Sequence, residues 1–325
     1  MTRRILAIDG GGVRGVIPAV ALAALERSLP GRVRDHFDFV AGTSTGALIV
    51  AAVAAGVPAE RIVQMYVERA PQLFSKVPVI STLRRILFGH MYDVEQLHRF
   101  IREELNSEGA ADWQLNEVPC DIMITAKGLT DGHQWYFVKD RPSNAGRTGG
   151  LGLASCLTAS AAAPTFFAPW TIADLTGKGP MVDGGTGVAG NPVYQACVEA
   201  FSYTDRYDPV NTVIVSLGTG QFLKRPRPTW IYSWLGWLLA ELLRSPGEQQ
   251  TELVDRHYPE SAFYRLDVKL ERDFSLDNAR EMAALRDVGE RFAALIDWPA
   301  VLDGSDSEWR VTRRRRQPQG YAQAV

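Results

Sequence analysis

The sequence predicts an α/β protein, a three-layer α/β/α domain on a mostly parallel central sheet. Three observations carry that expectation. Apolar runs of strand length alternate with helical patterns, the order that folds into a sheet covered on both faces. The first run, Ile5-Leu6-Ala7-Ile8, has no polar position and so no solvent face, as in a buried parallel sheet. Two successive strand-to-helix junctions are glycine turns, Asp9-Gly10-Gly11-Gly12-Val13-Arg14-Gly15 and Gly42-Thr43-Ser44-Thr45-Gly46.

Composition sets the frame. The chain has 325 residues, 46% hydrophobic and 22% charged, with a net charge of −2. That suits one large α/β domain or two modest ones and gives no reason to expect a nucleic-acid partner. No internal repeat and no linker rich in Pro, Gly or Ser divides the chain, so residues 1–305 read as a single domain. Residues 306–325 read as a polar basic tail around Arg313-Arg314-Arg315-Arg316, either solvated and disordered or a weak anchor for anionic lipid head groups. Met1-Thr2-Arg3-Arg4 leads straight into the first strand without a signal-peptide pattern, and no uncharged run reaches the ~18 residues of a membrane span. The expectation is a cytoplasmic protein. Cys120, Cys156 and Cys197 are scattered, and no His, Asp or Glu cluster has metal-ligand spacing, so neither a metal nor a cofactor is expected.

The first glycine turn is followed by a helical pattern through Ile17, Val20, Ala21, Ala24 and Leu25. Consecutive glycine N–H groups at a helix N-terminus form an anion site by geometry and dipole. Two readings compete for it. Gly10-x-Gly12-x-x-Gly15 satisfies the dinucleotide fingerprint, with Asp38 downstream as the acid. Asp38, however, lies within the second strand, ahead of Phe39, Val40 and Ala41, whereas a ribose-binding acid belongs at the strand's carboxyl end. The other reading is an oxyanion hole facing the same sheet edge as Ser44. It explains both turns together, and the dinucleotide reading leaves the second unexplained.

That second turn joins a strand, Phe37 to Ala41, to a buried helix, Ala47 to Ala55. A G-x-S-x-G pentapeptide in this setting is a nucleophile elbow. The serine takes strained backbone angles, and a glycine two residues to either side lets strand and helix approach without Cβ clashes. Without that setting the same pattern is only a glycine-rich turn with an idle serine.

Helices are expected over Pro58–Phe74 and over Asp93–Leu105, the latter capped by Asp93. The apolar, basic linker 76–88 between them reads as a lipid-facing flap or as a packed connection. Asp121–Ala126 and Gln134–Val138 read as strands joined at Asp131-Gly132. Leu151–Ala163 is a small-residue helix suited to close packing under a site. Met181-Val182 is a brief strand delivering Asp183, a candidate base for Ser44, although Asp-Gly-Gly is also a common plain turn. Asn191-Pro192 opens another helix, and Thr212–Leu217 is a core strand. The run Trp230–Leu243 holds three of the eight tryptophans, is too short for a bilayer, and suits either a membrane interface or the core. Phe263–Val268 reads as a strand and Asp277–Ile296 as an amphipathic closing helix.

With these residues in hand the chain resembles the patatin-like phospholipase family. The matching segments are Asp9–Gly15, Gly42–Gly46, Ala159-Ser160-Ala161-Ala162-Ala163-Pro164-Thr165-Phe166-Phe167 and Asp183-Gly184-Gly185, in the family's order. The likeness covers residues 3–220 and leaves 221–305 as a variable C-terminal part. It implies Ser44 as nucleophile, Asp183 as base of a Ser–Asp dyad, and Gly10, Gly11, Gly12 and Arg14 as the oxyanion hole, with Gly42 and Gly46 shaping the elbow. It further implies metal-free hydrolysis of fatty-acyl esters in phospholipids, lysophospholipids or neutral lipids, during transient contact with a membrane surface. Some bacterial members are membrane-degrading effectors of cyclic-nucleotide-triggered antiviral defence. A small-molecule activator would follow, although no residue here marks its pocket.

The dyad raises a chemical question, because an unperturbed Asp, with pKa ~3.9, is a poor base for a serine hydroxyl. Enclosure by apolar walls would raise it. The alternative is a Ser–Asp–His triad drawn from His36, His90, His98, His133 or His257. Only His257 follows both Ser44 and Asp183, in a charged segment that looks like a surface loop. A catalytically silent lipid-binding module is the remaining alternative, and intact Ser44 and Asp183 argue against it.

Overall fold

The structure, a computed structural model, describes residues 2–73, 90–143, 147–175, 177–222, 229, 234 and 247–311. The linker 76–88, the Arg313–Arg316 tail and all of the Trp230–Leu243 run except Trp234 lie outside the described residues. Trp234 itself is 48% exposed.

Among the described residues seven strands form one sheet: β1 (Arg3–Ile8), β2 (Phe39–Thr43), β3 (Asp121–Gly128), β4 (Gln134–Val138), β5 (Met181–Asp183), β6 (Thr212–Leu217) and β7 (Ala262–Leu266). Their order across the sheet is β4-β3-β2-β1-β6-β7, with β5 also paired to β3. The five strands β3, β2, β1, β6 and β7 run parallel, and β4 and β5 run antiparallel to β3. The hairpin expected between residues 121 and 138 is the β3–β4 pair, with Met123 opposite Val138 and Lys127 opposite Gln134.

The uniformly apolar first strand has its explanation in two cores. Leu6 and Ile8 point into the larger one and Ile5 and Ala7 into the other, as the pleat of a strand requires. The larger core packs α1 (Val16–Ser28), α2 (Thr45–Ala55), α3 (Ala59–Gln64), α4 (Val94–Asn106) and α5 (Leu153–Ala161) against the sheet. On the opposite face lies α6 (Val193–Tyr203), whose Val193, Ala196, Cys197 and Ala200 meet Phe39, Met123 and Ile214. This is the α/β/α layering that the sequence predicts.

The segment after residue 220 belongs to the same sheet through β7, and its α7 (Met282–Ala293) and α8 (Trp298–Asp303) join the larger core. The expected closing helix is shorter than the pattern suggests. Asp277 is tied up by Tyr92 Oη at 2.9 Å and Ser275 Oγ at 2.7 Å, so a 3-10 turn, Ala279–Glu281, precedes α7. The short helix α8 was not expected. Its buried Trp298 donates Nε1–H to Ala21 O at 3.0 Å. The helix expected to run from Pro58 instead gives way after Gln64 to a π-helical turn, Met65–Arg69. Tyr66 in that turn is hydrogen-bonded to Thr45 Oγ1. Asp38 precedes β2, where it accepts from Arg4 N–H at 2.9 Å and pairs with Arg3. It therefore sits at the amino end of the strand, opposite the glycine turns.

Candidate active site

β2 ends at Thr43, and Ser44 takes φ 55° and ψ −123° before α2 begins. Such a conformation costs a non-glycine residue on the order of 1–3 kcal/mol, so the surroundings must enforce it. The two flanking glycines show how. A Cβ on Gly42 would lie 2.4 Å from Gly46 O, and one on Gly46 would lie 2.2 Å from Ile8 O. Strand and helix thus press on each other and on β1 at backbone distance, and the turn has no room to relax. Ser44 N–H donates to Oγ of fully buried Ser160 on α5 at 2.9 Å. Thr43 Oγ1 donates to Ala189 O, and so accepts from Thr125 Oγ1 at 2.7 Å.

The register of β3 brings the acid to the serine. Thr43 faces Thr125, and the next residue, Ala126, faces Asp183 of β5. The other edge of β3 is filled by β4, with Trp135 opposite Ala126. β5 therefore continues the line of β2 along one edge, and Asp183 meets the elbow. Asp183 N–H donates to Ala162 O at 3.0 Å, and Oδ1 accepts from Gly185 N–H at 2.7 Å. Ser44 lines the same cleft and favours the ionised form of that carboxylate. Only 5% of Asp183 is exposed. Burial pushes its pKa up to about 6, against the pull of Ser44 and of the Gly185 N–H, which favour the ionised form.

The glycine turn divides into anchored residues and two that line the cleft. Gly10 N–H donates to Gly190 O at 2.9 Å, and Gly10 O accepts from Thr219 Oγ1 at 2.8 Å. Arg14 N–H donates to Gly11 O at 3.2 Å, while its buried guanidinium reaches Gly11 O and Gly220 O, each at 3.4 Å. Gly11 and Gly12 line the cleft together with Ser44 and Asp183. Both must be glycine. A Cβ on Gly11 would lie 2.2 Å from Thr219 Oγ1, and Gly12, at φ 57°, would place one 2.2 Å from Leu276 O.

From Ser44 the cleft runs between apolar walls that include Ile49, Ile62, Met65, Leu97, Phe100 and Phe166. Counted out to its solvent-open mouth it holds about 1310 Å³ of empty space. Among the described residues no histidine lines it. His257 is exposed and hydrogen-bonded through Nδ1 to Tyr194 Oη at 2.7 Å. His98 Nδ1 is 2.8 Å from Thr158 Oγ1, and its ring stacks on Trp170. Among the described residues no group of three or more His, Cys, Asp and Glu side chains could hold a metal ion.

Ser160, Thr219 and Tyr66 belong to this site without being marked individually in the sequence. Ser160 lies in the Ala159–Phe167 segment already singled out, and Thr219 in the glycine-flanked end of β6. Neither position carries a signal of its own, because what they bond is set by elements distant in the chain.

A strained serine on a strand-to-helix turn, with a buried carboxylate and glycines lining the same cleft, is an arrangement met among α/β hydrolases. The model of one such family, described as patatin-like phospholipase, matches residues 6–197, and the chain belongs to that family. It is similar to a cGAMP-activated phospholipase of Escherichia coli (strain TW11681), at 30% identity over 61% of this chain and 56% of that protein. It is also similar to Patatin-like protein 2 of Oryza sativa subsp. indica, at 29% identity over 71% of this chain and 65% of that one. The chain thus spans between 56% and 65% of the length of these two relatives. Among solved structures, VipD from Legionella pneumophila aligns with a TM-score of 0.46 at 12% identity, over 94% of this chain and 67% of that one.

Proposed function

We propose that the protein hydrolyses fatty-acyl esters of phospholipids or lysophospholipids through a Ser44–Asp183 dyad. The observation that carries this reading is a strained serine sharing one cleft with a carboxylate buried enough to titrate near 6. A carboxylate with its pKa brought towards neutrality is a usable general base, where an ordinary one is not.

In the first step Asp183 takes the proton of Ser44 Oγ as that oxygen attacks the ester carbonyl. The tetrahedral oxyanion accepts from the N–H groups of Gly11 and Gly12, beside the positive end of α2. Gly10, its own N–H committed to Gly190, anchors the loop, and Arg14 holds the Gly11 carbonyl turned away from the substrate. The alcohol leaves with the proton from Asp183, and an acyl ester on Ser44 remains. Water then attacks that ester, giving its proton to Asp183, and the fatty acid departs as Ser44 is reprotonated. The apolar cleft accommodates the acyl chain, and the chain excludes water from the carboxylate whose pKa depends on that exclusion.

Among the described residues no helix is long and apolar enough to cross a membrane, which suits peripheral action on a lipid surface. The likeness to a cGAMP-activated phospholipase supports an extension of the reading, in which a cyclic nucleotide activates this chain as a membrane-degrading effector. The test of both is lipid mass spectrometry of membranes exposed to wild type and to Ser44→Ala, with and without the nucleotide. Lysolipids and free fatty acids should appear with wild type only. Their equal release by Ser44→Ala removes the proposed function, and release indifferent to the nucleotide removes the extension.

A further inference from the structure

The C-terminal part of the chain places one side chain behind the glycine loop. Arg265, on β7, leaves only 12% of its side chain exposed, and all four of its Nη–H groups are engaged. Nη1 donates to Asp9 Oδ1 at 2.9 Å and to Ser216 Oγ at 2.8 Å, and Nη2 donates to Asp9 Oδ2 at 2.6 Å and to Asp267 Oδ2 at 2.9 Å. The fork on Asp9 is the two-point geometry that a guanidinium makes and an ammonium cannot.

Three branches leave Arg265, and each ends on the loop that carries Gly11 and Gly12. The first is direct, since Asp9 is the residue before Gly10. The second runs through Ser216 Oγ, which is 3.3–3.4 Å from the side chain of Asn191. Asn191 follows Gly190, whose carbonyl holds Gly10 N–H. The third runs through Asp267, which accepts from Gly220 N–H at 3.0 Å, and Gly220 O in turn accepts from Arg14 at 3.4 Å. Arg14 closes the branch on Gly11 O. We propose that Arg265 is a positioning residue of the oxyanion hole, setting where the Gly11 and Gly12 amides point by holding Asp9, the Gly190 carbonyl and Arg14 in one network.

The physical reason lies in what a tripeptide of glycines lacks. Gly10, Gly11 and Gly12 have no side chains to pack, so the loop's amides are placed by hydrogen bonds rather than by packing. Donor placement in such a hole is worth on the order of a hundredfold in rate per donor, and misplacement by about 1 Å forfeits a similar factor. A largely buried Asp–Arg–Asp cluster is a weak device for stability, because its desolvation offsets much of the attraction. Here it stands at the one place where position governs the chemistry. The inference rests on the Ser44 and Gly11/Gly12 roles proposed above.

The test compares two ligands of equal chain length on the purified chain. An alkyl trifluoromethyl ketone adds Ser44 Oγ to its carbonyl and becomes a hemiketal oxyanion, whereas the matching alkyl alcohol fills only the cleft. Arg265→Met should weaken the ketone by about ten- to a hundredfold, leave the alcohol within about twofold, and lower kcat for a soluble short-chain ester with little change in KM. Arg265→Lys should recover part of the ketone affinity. Ser216→Ala, which trims a single branch, should weaken the ketone by about threefold and carries the test if Arg265→Met does not fold. An unchanged ratio of ketone to alcohol affinity in the variant that folds, or a parallel loss of both, overturns the proposal. If wild type itself prefers the ketone no more than Ser44→Ala does, the Ser44 role falls, and this proposal with it. If that preference depends on Ser44 while the Arg265 and Ser216 variants match wild type, only the positioning role falls.

Discussion

Ser44 and Asp183 meet end to end along one edge of β3. The last residue of β2, Thr43, faces Thr125, and Asp183 at the end of β5 faces Ala126, the next residue of the same strand. A parallel strand and a short antiparallel one therefore stop at one point from opposite directions. The pair is fixed by sheet pairing on both sides, with Ser160 and Ala162 of the α5 end holding their backbone N–H groups. Placing both members on sheet ends in this way limits their motion more than two loops would.

Replacing the nucleophile separates chemistry from strain. Ser44→Ala and Ser44→Gly should both abolish turnover of a chromogenic acyl ester and labelling by a fluorophosphonate. The glycine variant should unfold at a higher temperature than the alanine one, by ~1 kcal/mol or more in stability, because only glycine accepts φ 55° without cost. Turnover by either variant, or equal melting curves for the two, contradicts the corresponding half.

The pH dependence follows from the buried acid. With Asp183 near 6, kcat/KM should be flat above that pH and fall about tenfold per unit below it, as the base is protonated. Asp9, also raised by burial to about 6 against the pull of Arg265, titrates in the same range, and a limb steeper than tenfold per unit is its signature. A limb centred near 4 would show that Asp183 is not the base.

The same raised pKa has a stability consequence. Below pH 3.8 both folded and unfolded chains hold the Asp183 proton, and between 3.8 and about 6 the folded chain holds it more often. Stability from this group therefore falls as pH rises through that window and stays low above it. Asp183→Asn should lose nearly all activity yet unfold at a temperature no lower than wild type at pH 7, with a gain of ~3 kcal/mol at most. Retained activity, or a clearly lower melting temperature, is the opposing result.

His257 bears on the triad alternative. Its ring is exposed and engaged with Tyr194, away from the cleft. His257→Ala should leave kcat/KM within about twofold of wild type, since a surface substitution of this kind perturbs little. A dead His257→Ala enzyme would establish a triad.

The elbow glycines are tested by one methyl group. Gly46→Ala would place its Cβ 2.2 Å from Ile8 O and 2.7 Å from Asp9 O, two backbone atoms that cannot swing aside. Despite the better helix propensity of alanine, the variant should lose ~2 kcal/mol or more and most of its activity. Thermal unfolding and ester turnover measured side by side decide this.

Much of this was legible in the chain because it is local. Ile5 to Ile8 declared a strand with two buried faces, Gly42 and Gly46 declared a turn too tight for side chains, and Asp93 declared a helix start. Each of these depends on residues within a few positions of one another. The helix from Pro58 was legible only in part, because the π-helical turn at Met65–Arg69 answers to Thr45, which holds Tyr66 from another helix.

What the sequence alone determined, then, is the kind of site: a serine turn, a glycine loop and an aspartate on a short strand. Only the tertiary structure decided which members act together and how. Gly10, Gly11 and Gly12 are equivalent letters in the chain, yet Gly190 takes the N–H of the first and leaves the other two facing the cleft. The pKa of Asp183 is a matter of burial, which is the work of segments far from it in sequence. Arg265, in a stretch without a motif, reaches the loop only because β7 lies in the same sheet as β1. Backbone geometry is set by neighbours in sequence, whereas desolvation and long-range hydrogen bonds exist only after distant segments have packed.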